Sequence, residues 1–181
     1  MLSSSRCVSG SAILDDAAGP HMSTTENAPA VATAVVIREL DRDDLDQLLS
    51  LYRHLHEQDN TLPDRAKLEQ IWAGILDDSA QIYVGACVEE ALVAACNACI
   101  VPNLTRGARP YAVIENVVTH TDYRRQGIGA SVLRDLLARC WARGCYKVML
   151  MSAVKRAEIH AFYEALGFDK KSKQAFVIRA G

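Results

Sequence analysis

The sequence predicts an α/β domain built on a mixed sheet, and three observations predict it. Short β-branched runs and amphipathic helical runs follow one another in the order β-α-α-β-β-β-α-β-α-β. No segment repeats internally. The 181 residues are half apolar and 23% charged, which suits one domain with its own core and excludes a disordered or collagen-like chain.

Residues 1–32 are rich in Ser, Ala, Gly, Thr and Asn and show no hydrophobic period, so they read as a flexible leader. They lack the continuous apolar stretch of a signal peptide. Gly19-Pro20-His21-Met22 has the composition of a cloning junction, and the natural start is expected at Met22. The domain is expected over residues 33–181. It opens with a β-branched strand, Ala34–Arg38. Asp41 is placed to cap a helix whose apolar face is Leu45, Leu48, Leu49, Tyr52 and Leu55. A second helix follows Pro63, with Leu68, Ile71, Trp72, Ile75 and Leu76 on one face. Gln81–Val88 and Leu92–Val101 form a hairpin turning near Glu89-Glu90. A loop with Asn103, Gly107 and two prolines then leads to the strand Tyr111–Thr119. The strongest helix follows residue 126. Ile128, Val132, Leu133, Leu136, Leu137, Cys140 and Trp141 share its face, and Gly144 stops it. Tyr146–Met151 is a strand, Glu158–Leu166 a helix ended by Gly167, and Phe168–Arg179 a closing strand or hairpin.

The net charge is −2, too small for a nucleic-acid binder that works through bulk charge. Its distribution is uneven. Met1–Asn103 holds 6 basic and 16 acidic residues, a net of −10, and Leu104–Gly181 holds 14 and 6, a net of +8. A polyanionic ligand is therefore expected on the second half. The longest largely apolar run, Ala91–Val101, is broken by Asn97 and falls short of the ~20 residues a bilayer span needs, so no membrane partner is expected. Six cysteines are spaced irregularly among apolar neighbours. Cys96-x-x-Cys99 lacks the second ligand pair that a structural zinc requires, so no metal is expected. Reduced, buried thiols fit a cytoplasmic location.

Arg124-Arg125-Gln126-Gly127-Ile128-Gly129-Ala130 lies between a strand and the strongest helix. The first turn of a helix presents unpaired N–H groups and a partial positive charge, and glycine lets an anion come close to the backbone. Val132 stands where a dinucleotide fingerprint needs its third glycine, and Ala130-Ser131 stands where a P-loop needs Lys-Ser/Thr.

Strand followed by Arg-x-x-Gly-x-Gly at a helix start resembles the acetyl-CoA signature of the GNAT superfamily of N-acetyltransferases. Glu115-Asn116-Val117-Val118 before the turn, Gly144-Cys145-Tyr146-Lys147 after the helix, and Phe162-Tyr163-Glu164-Ala165-Leu166-Gly167-Phe168 at the end extend the resemblance over about residues 34–180. The resemblance implies a mostly antiparallel central sheet flanked by helices, with two strands, Tyr111–Thr119 and Tyr146–Met151, splaying apart. Acetyl-CoA as cosubstrate would lie between them. Its pantetheine arm would pair with the backbone of Val117, Val118 and Thr119. Its pyrophosphate would sit on Arg124, Arg125, Gln126, Gly127, Ile128, Gly129 and Ala130. A homodimer is also expected.

Direct attack of an amine on a thioester needs a base for the amine, a donor for the oxyanion and a proton for the departing thiolate. Tyr163 matches the family's tyrosine near the thiol and is the expected acid. Glu115 is the candidate base, acting through water or alternatively binding the substrate ammonium. His120 and His160 are secondary candidates for a proton relay, with capping or packing as the ordinary alternative. Asn116 points to the face opposite Glu115 in a regular strand, unless a bulge intervenes. Many family members carry Asn seven residues before the tyrosine; here Arg156 stands there.

The acceptor is expected to be a small primary amine, since the motifs are similar to those of glucosamine-6-phosphate and aminoalkylphosphonate acetyltransferases. The first of these branches usually has Asp where Asn116 stands. Arg106 and Arg109 on the loop before the Glu115 strand are the expected grip for its anionic group, with Asn116 also toward the substrate. The alternatives are a protein lysine or N-terminal acetyltransferase and a non-catalytic acetyl-CoA-binding regulator.

Overall fold

The computed structural model describes residues 34–55 and 60–180, so the expected leader and cloning junction lie outside the described residues. The elements are β1 (Val35–Glu39), a 3-10 turn (Arg42–Asp44), α1 (Leu45–Tyr52), α2 (Arg65–Asp77), β2 (Gln81–Val88), β3 (Ala91–Val101), β4 (Tyr111–Thr119), a second 3-10 turn (Thr121–Tyr123), α3 (Ile128–Ala142), β5 (Val148–Leu150) and α4 (Ala157–Ala165). One sheet runs in the order β1-β2-β3-β4-β5. Its first four strands are antiparallel neighbours, and β5 joins β4 in parallel. This is the mixed, mostly antiparallel sheet expected from the sequence.

Alternation along the strands builds a core on each face. On one face, Val84, Val93, Cys96, Ala98 and Ile114 pack against Val132, Leu133, Leu136 and Cys140 of α3, with Phe162 and Tyr163 of α4 at the margin. On the other, Leu92, Ala95 and Val118 pack against Leu45, Leu48 and Leu51 of α1 and Trp72 of α2. The entry to α1 is tied down by charge. Asp41 caps the 3-10 turn through the amide of Asp43, and Asp44 accepts from the Asp41 amide at 2.7 Å. The Arg38 guanidinium donates twice to the buried Asp44 carboxylate, at 2.6 and 2.7 Å. Burial alone would push the Asp44 carboxyl up, but Arg38 and the Asp41 amide outweigh it and hold it below the usual range.

Two expectations are corrected. The expected strand Tyr146–Met151 shrinks to Val148–Leu150, and the stretch Phe168–Arg179 forms no strand. Phe176 and Ile178 are instead 90% and 97% exposed. Their β-branched and aromatic composition suits a strand, but a strand needs a neighbour to bond with, and none of the described residues pairs with this one.

Candidate active site

The site begins where a ladder stops. β4 and β5 pair at Ala112↔Val148, Val113↔Met149 and Ile114↔Leu150, and no further. β4 continues for five residues, bonded on its other side to β3 as far as Thr119. Among the described residues, the backbone of Glu115–Thr119 thus presents an edge without a ladder partner, and such groups seek one.

β4 also carries a bulge at this point. Ala95 pairs with Val118 and Asn97 with Glu115, so Asn116 and Val117 together oppose the single residue Cys96. Asn116 sits at φ +53°, in the left-handed region. The extra residue shifts the alternation by one. Ile114 and Val117 consequently both face α3, three positions apart, while Val118 faces α1. Asn116 Nδ2 donates to Asn97 Oδ1 at 3.0 Å. Its amide is therefore engaged within the sheet, and Asn116 holds the bulge.

Beyond Thr119 the chain turns into α3 through Arg125 (φ +60°) and Gly127 (φ +80°). No side chain caps α3, and its first turn contains no acidic residue. The amides of Gly127 to Ala130 therefore remain open to an anion. Two flanking side chains are already used as struts. Arg124 donates to the carbonyls of Thr119 (3.0 Å) and His54 (3.1 Å), and Gln126 donates to the Asp122 carbonyl (2.9 Å). Arg125 is exposed beside the turn. These backbone and side-chain features suit a pyrophosphate, and the open β4 edge suits an amide-bearing arm.

Tyr163 of α4 is half-buried on the α3 face, its ring 5.3 Å from that of Phe162 and 5.8 Å from that of Phe168. Burial pushes its phenol above the ordinary value, with Cys96 and Glu115 adding to the rise, so the hydroxyl keeps its proton at neutral pH. Glu115 is exposed, and as the neighbour of inward-facing Ile114 it projects from the opposite face of β4. The two candidate groups thus flank one strand edge from opposite sides.

The histidines have structural employment. His120 Nδ1 accepts from the Asp122 amide at 3.3 Å and its ring lies 4.1 Å from that of His54, while His160 Nε2 lies 2.9 Å from the Ala153 carbonyl. Arg156 is the N-cap residue of α4, its carbonyl accepting from Ile159 and His160.

Of the two arginines expected to grip the anion of the acceptor, Arg109 is already hydrogen-bonded within the protein. Arg109 donates to the carbonyls of Gly144 and Cys145, both at 3.2 Å, at the end of α3. It lies on the loop that precedes β4, and Arg106 is exposed on the same loop, at φ +57°. Sequence reasoning missed two residues. Asn97 showed only as an interruption of an apolar run, and nothing marked His54 as the prop for the β4 end.

The family model described as "Acetyltransferase (GNAT) family" matches residues 43–168. The glucosamine 6-phosphate N-acetyltransferase of Trypanosoma brucei brucei is 32% identical over 141 residues, covering 76% of this chain and 91% of that protein. A solved structure named as an acetyltransferase of Agrobacterium tumefaciens str. C58 superposes with a TM-score of 0.75 at 38% identity, over 80% of this chain and 99% of that one. A structure named as a transcriptional regulator of Bacillus halodurans C-125 superposes at 0.72 with 28% identity, over 81% of this chain and all of that one. On the extent of the family match, and with a relative of that identity and coverage, the chain belongs to the GNAT family of acetyltransferases and is an N-acetyltransferase.

Proposed function

We propose that the chain transfers the acetyl group of acetyl-CoA to the primary amine of a small metabolite, with amino-sugar phosphates as the first acceptor class to test. The observation that carries this reading is the end of the β4–β5 ladder at Ile114↔Leu150, beside the uncapped N-terminus of α3. When bound, acetyl-CoA supplies the thioester carbonyl that the amine attacks. The backbone of Val117, Val118 and Thr119 pairs with the amides of the pantetheine arm. The backbone from Arg124 to Ala130 holds the pyrophosphate, with Arg125 adding charge. Glu115, reached by solvent, takes the proton of the amine, and Tyr163, kept neutral by burial, gives its proton to the departing thiolate. The acceptor class rests on the name of the 32% identical relative.

The chain is further proposed to be cytoplasmic and homodimeric, with no nucleic-acid or membrane partner. The cytoplasm is supported by Cys87, Cys96, Cys99, Cys140 and Cys145, all free thiols. No helix among the described residues is long and apolar enough to cross a membrane. The homodimer is supported by the exposed Phe176–Ile178, whose residue types favour strands, and by an outer edge of β5 that none of the described residues pairs with.

A second reading, a non-catalytic acetyl-CoA-binding regulator, is favoured only by the name of one structural neighbour, and Glu115 and Tyr163 at one strand edge argue against it. Thiol release from acetyl-CoA over amino-sugar phosphates, aminoalkylphosphonates, neutral amines and lysine peptides decides. Turnover of a small amine supports the proposal. CoA binding with no turnover of any acceptor leaves the regulator. Fastest turnover of lysine peptides leaves a protein acetyltransferase.

A further inference from the structure

Asn97 stands in the middle of β3, otherwise an apolar strand, and is 7% exposed. Among the described residues only Asp44 is a comparably buried polar side chain, and Arg38 with the Asp41 amide accounts for it. A carboxamide removed from water is costly unless it is hydrogen-bonded. The partner of Asn97 is Asn116, the residue that creates the β4 bulge. Asparagine is among the few residues that take the left-handed conformation readily. The bulge therefore rests on both asparagines, since Asn116 adopts the conformation and Asn97 holds it from the neighbouring strand.

At Val117 and Val118, which exchange faces when the alternation slips, packing does not select the bulge, because the side chains are identical. Thr119, paired with Ala94, turns over with them. The Asn97–Asn116 bond is made at the bulge itself. In register, Asn97 also lies directly opposite Glu115, where directly opposed side chains are about 4.5–5.5 Å apart at Cβ.

Resting on the function proposed above, we infer that Asn97 is a positioning residue: by holding Asn116 it fixes the β4 bulge, and with it the aim of Glu115 and of the Val117–Thr119 backbone at the reacting groups. It touches neither substrate nor cosubstrate.

The test uses the full chain and two variants, read by backbone NMR and by kinetics. Asn97→Val places a strand-forming residue of similar size but removes the acceptor. The β3–β4 contacts are expected to run in unbroken register through Glu115 to Val118, with the left-handed signature of residue 116 lost. Misaimed by an ångström or so, the reacting groups are expected to lower kcat by about 10–100-fold, with a smaller change in free-CoA affinity, since the open amides at the start of α3 are retained. Asn97→Asp keeps an acceptor for Asn116. It is expected to retain the bulge and to keep kcat within about threefold of wild type, a rescue by an acceptor of the same shape. A bulge that persists in Asn97→Val overturns the inference, as does a lost bulge with unchanged kcat. If Asn97→Val does not fold, Asn97→Asp decides, and a bulge lost in it with kcat unchanged, or kept with kcat lowered as far as is expected for Asn97→Val, overturns the role. Absence of acetyl transfer by the wild type to any amine would instead sink the proposed function, and the register measurement would still settle whether Asn97 holds the bulge.

Discussion

A Cβ built on Gly129 would lie 2.8 Å from the Thr119 hydroxyl oxygen, closer than side chains approach one another. The first turn of α3 is thus pressed onto the end of β4, which brings the open amides and the open strand edge together. Gly129→Ala is expected to push them apart and to weaken free-CoA binding by about tenfold, roughly 1.4 kcal/mol. Thr119→Ala added to it removes the obstructing hydroxyl and is expected to restore most of that loss. Calorimetry with CoA reads both. Unchanged affinity in a bulkier Gly129→Trp would move the phosphate site elsewhere.

Tyr163→Phe is expected to leave CoA affinity unaltered and to reduce kcat by about 10²–10⁴-fold, the usual loss for one proton donor. The hydroxyl is kept neutral first by burial and then by Cys96 and Glu115. Wild-type kcat is accordingly expected to show no fall from Tyr163 ionisation below the ordinary tyrosine range. A kcat within about threefold of wild type would make Tyr163 a packing residue.

Cys140, on the buried face of α3, has its thiol pushed up to about 11 by burial, with Cys145 adding to the rise and Arg143 opposing it. The folded state therefore holds this proton longer than the unfolded chain does. The associated stability is complete below the ordinary thiol value and is lost as pH rises toward 11. The melting temperature should fall across this range, and fall less steeply in Cys140→Ala. Tyr83 and Tyr163, also raised, leave a residual slope. Equal slopes in the two proteins would rule Cys140 out as a source of alkaline sensitivity.

The pattern of apolar residues located the elements because it records which faces are buried. Gln81–Val88 and Tyr111–Thr119 begin and end as the sequence predicts, since turn residues bracket each run. The Arg-x-x-Gly-x-Gly turn was equally legible, because its requirement is local: φ near +80° at Gly127 and a close approach at Gly129. Long-range pairings were not legible. Asn97 meets Asn116 only because β3 folds back on β4. Arg109 finds the carbonyls of Gly144 and Cys145 across 35 and 36 residues of chain, and no spacing rule reports such a partner. The phase of β4 beyond Glu115 was open for the same reason: one bulge reverses it.

The two carbonyls that Arg109 takes give it a structural role that kinetics can separate from substrate binding. Arg109→Ala is expected to cost about 1 kcal/mol, the worth of a cation and its hydrogen bonds at a helix C-terminus on the surface. KM for an anionic amine should stay within about threefold, because the guanidinium is already bonded to these two carbonyls. A decade's rise in KM for anionic amines alone, with the melting temperature unchanged, would return Arg109 to the substrate site.

Near the C-terminus, Phe176, Val177 and Ile178 are 90%, 64% and 97% exposed in a run whose residue types favour strands. β5 ends the sheet, so one of its edges has no neighbour among the described residues. An exposed apolar segment and an unpaired strand edge invite addition of one to the other, and a second copy of the chain supplies both. The exchange would be reciprocal, as a two-fold dimer requires. Deleting residues 173–181, or replacing Phe176 and Ile178 together by Lys, is expected to shift sedimentation from dimer to monomer. The far-ultraviolet spectrum of the sheet and helices should be retained, because none of the described core residues lies in that stretch. Wild-type protein that sediments as a monomer at concentrations well above the micromolar range would remove the basis for the dimer. So would a truncated protein that stays dimeric, since the contact would then be made by another face.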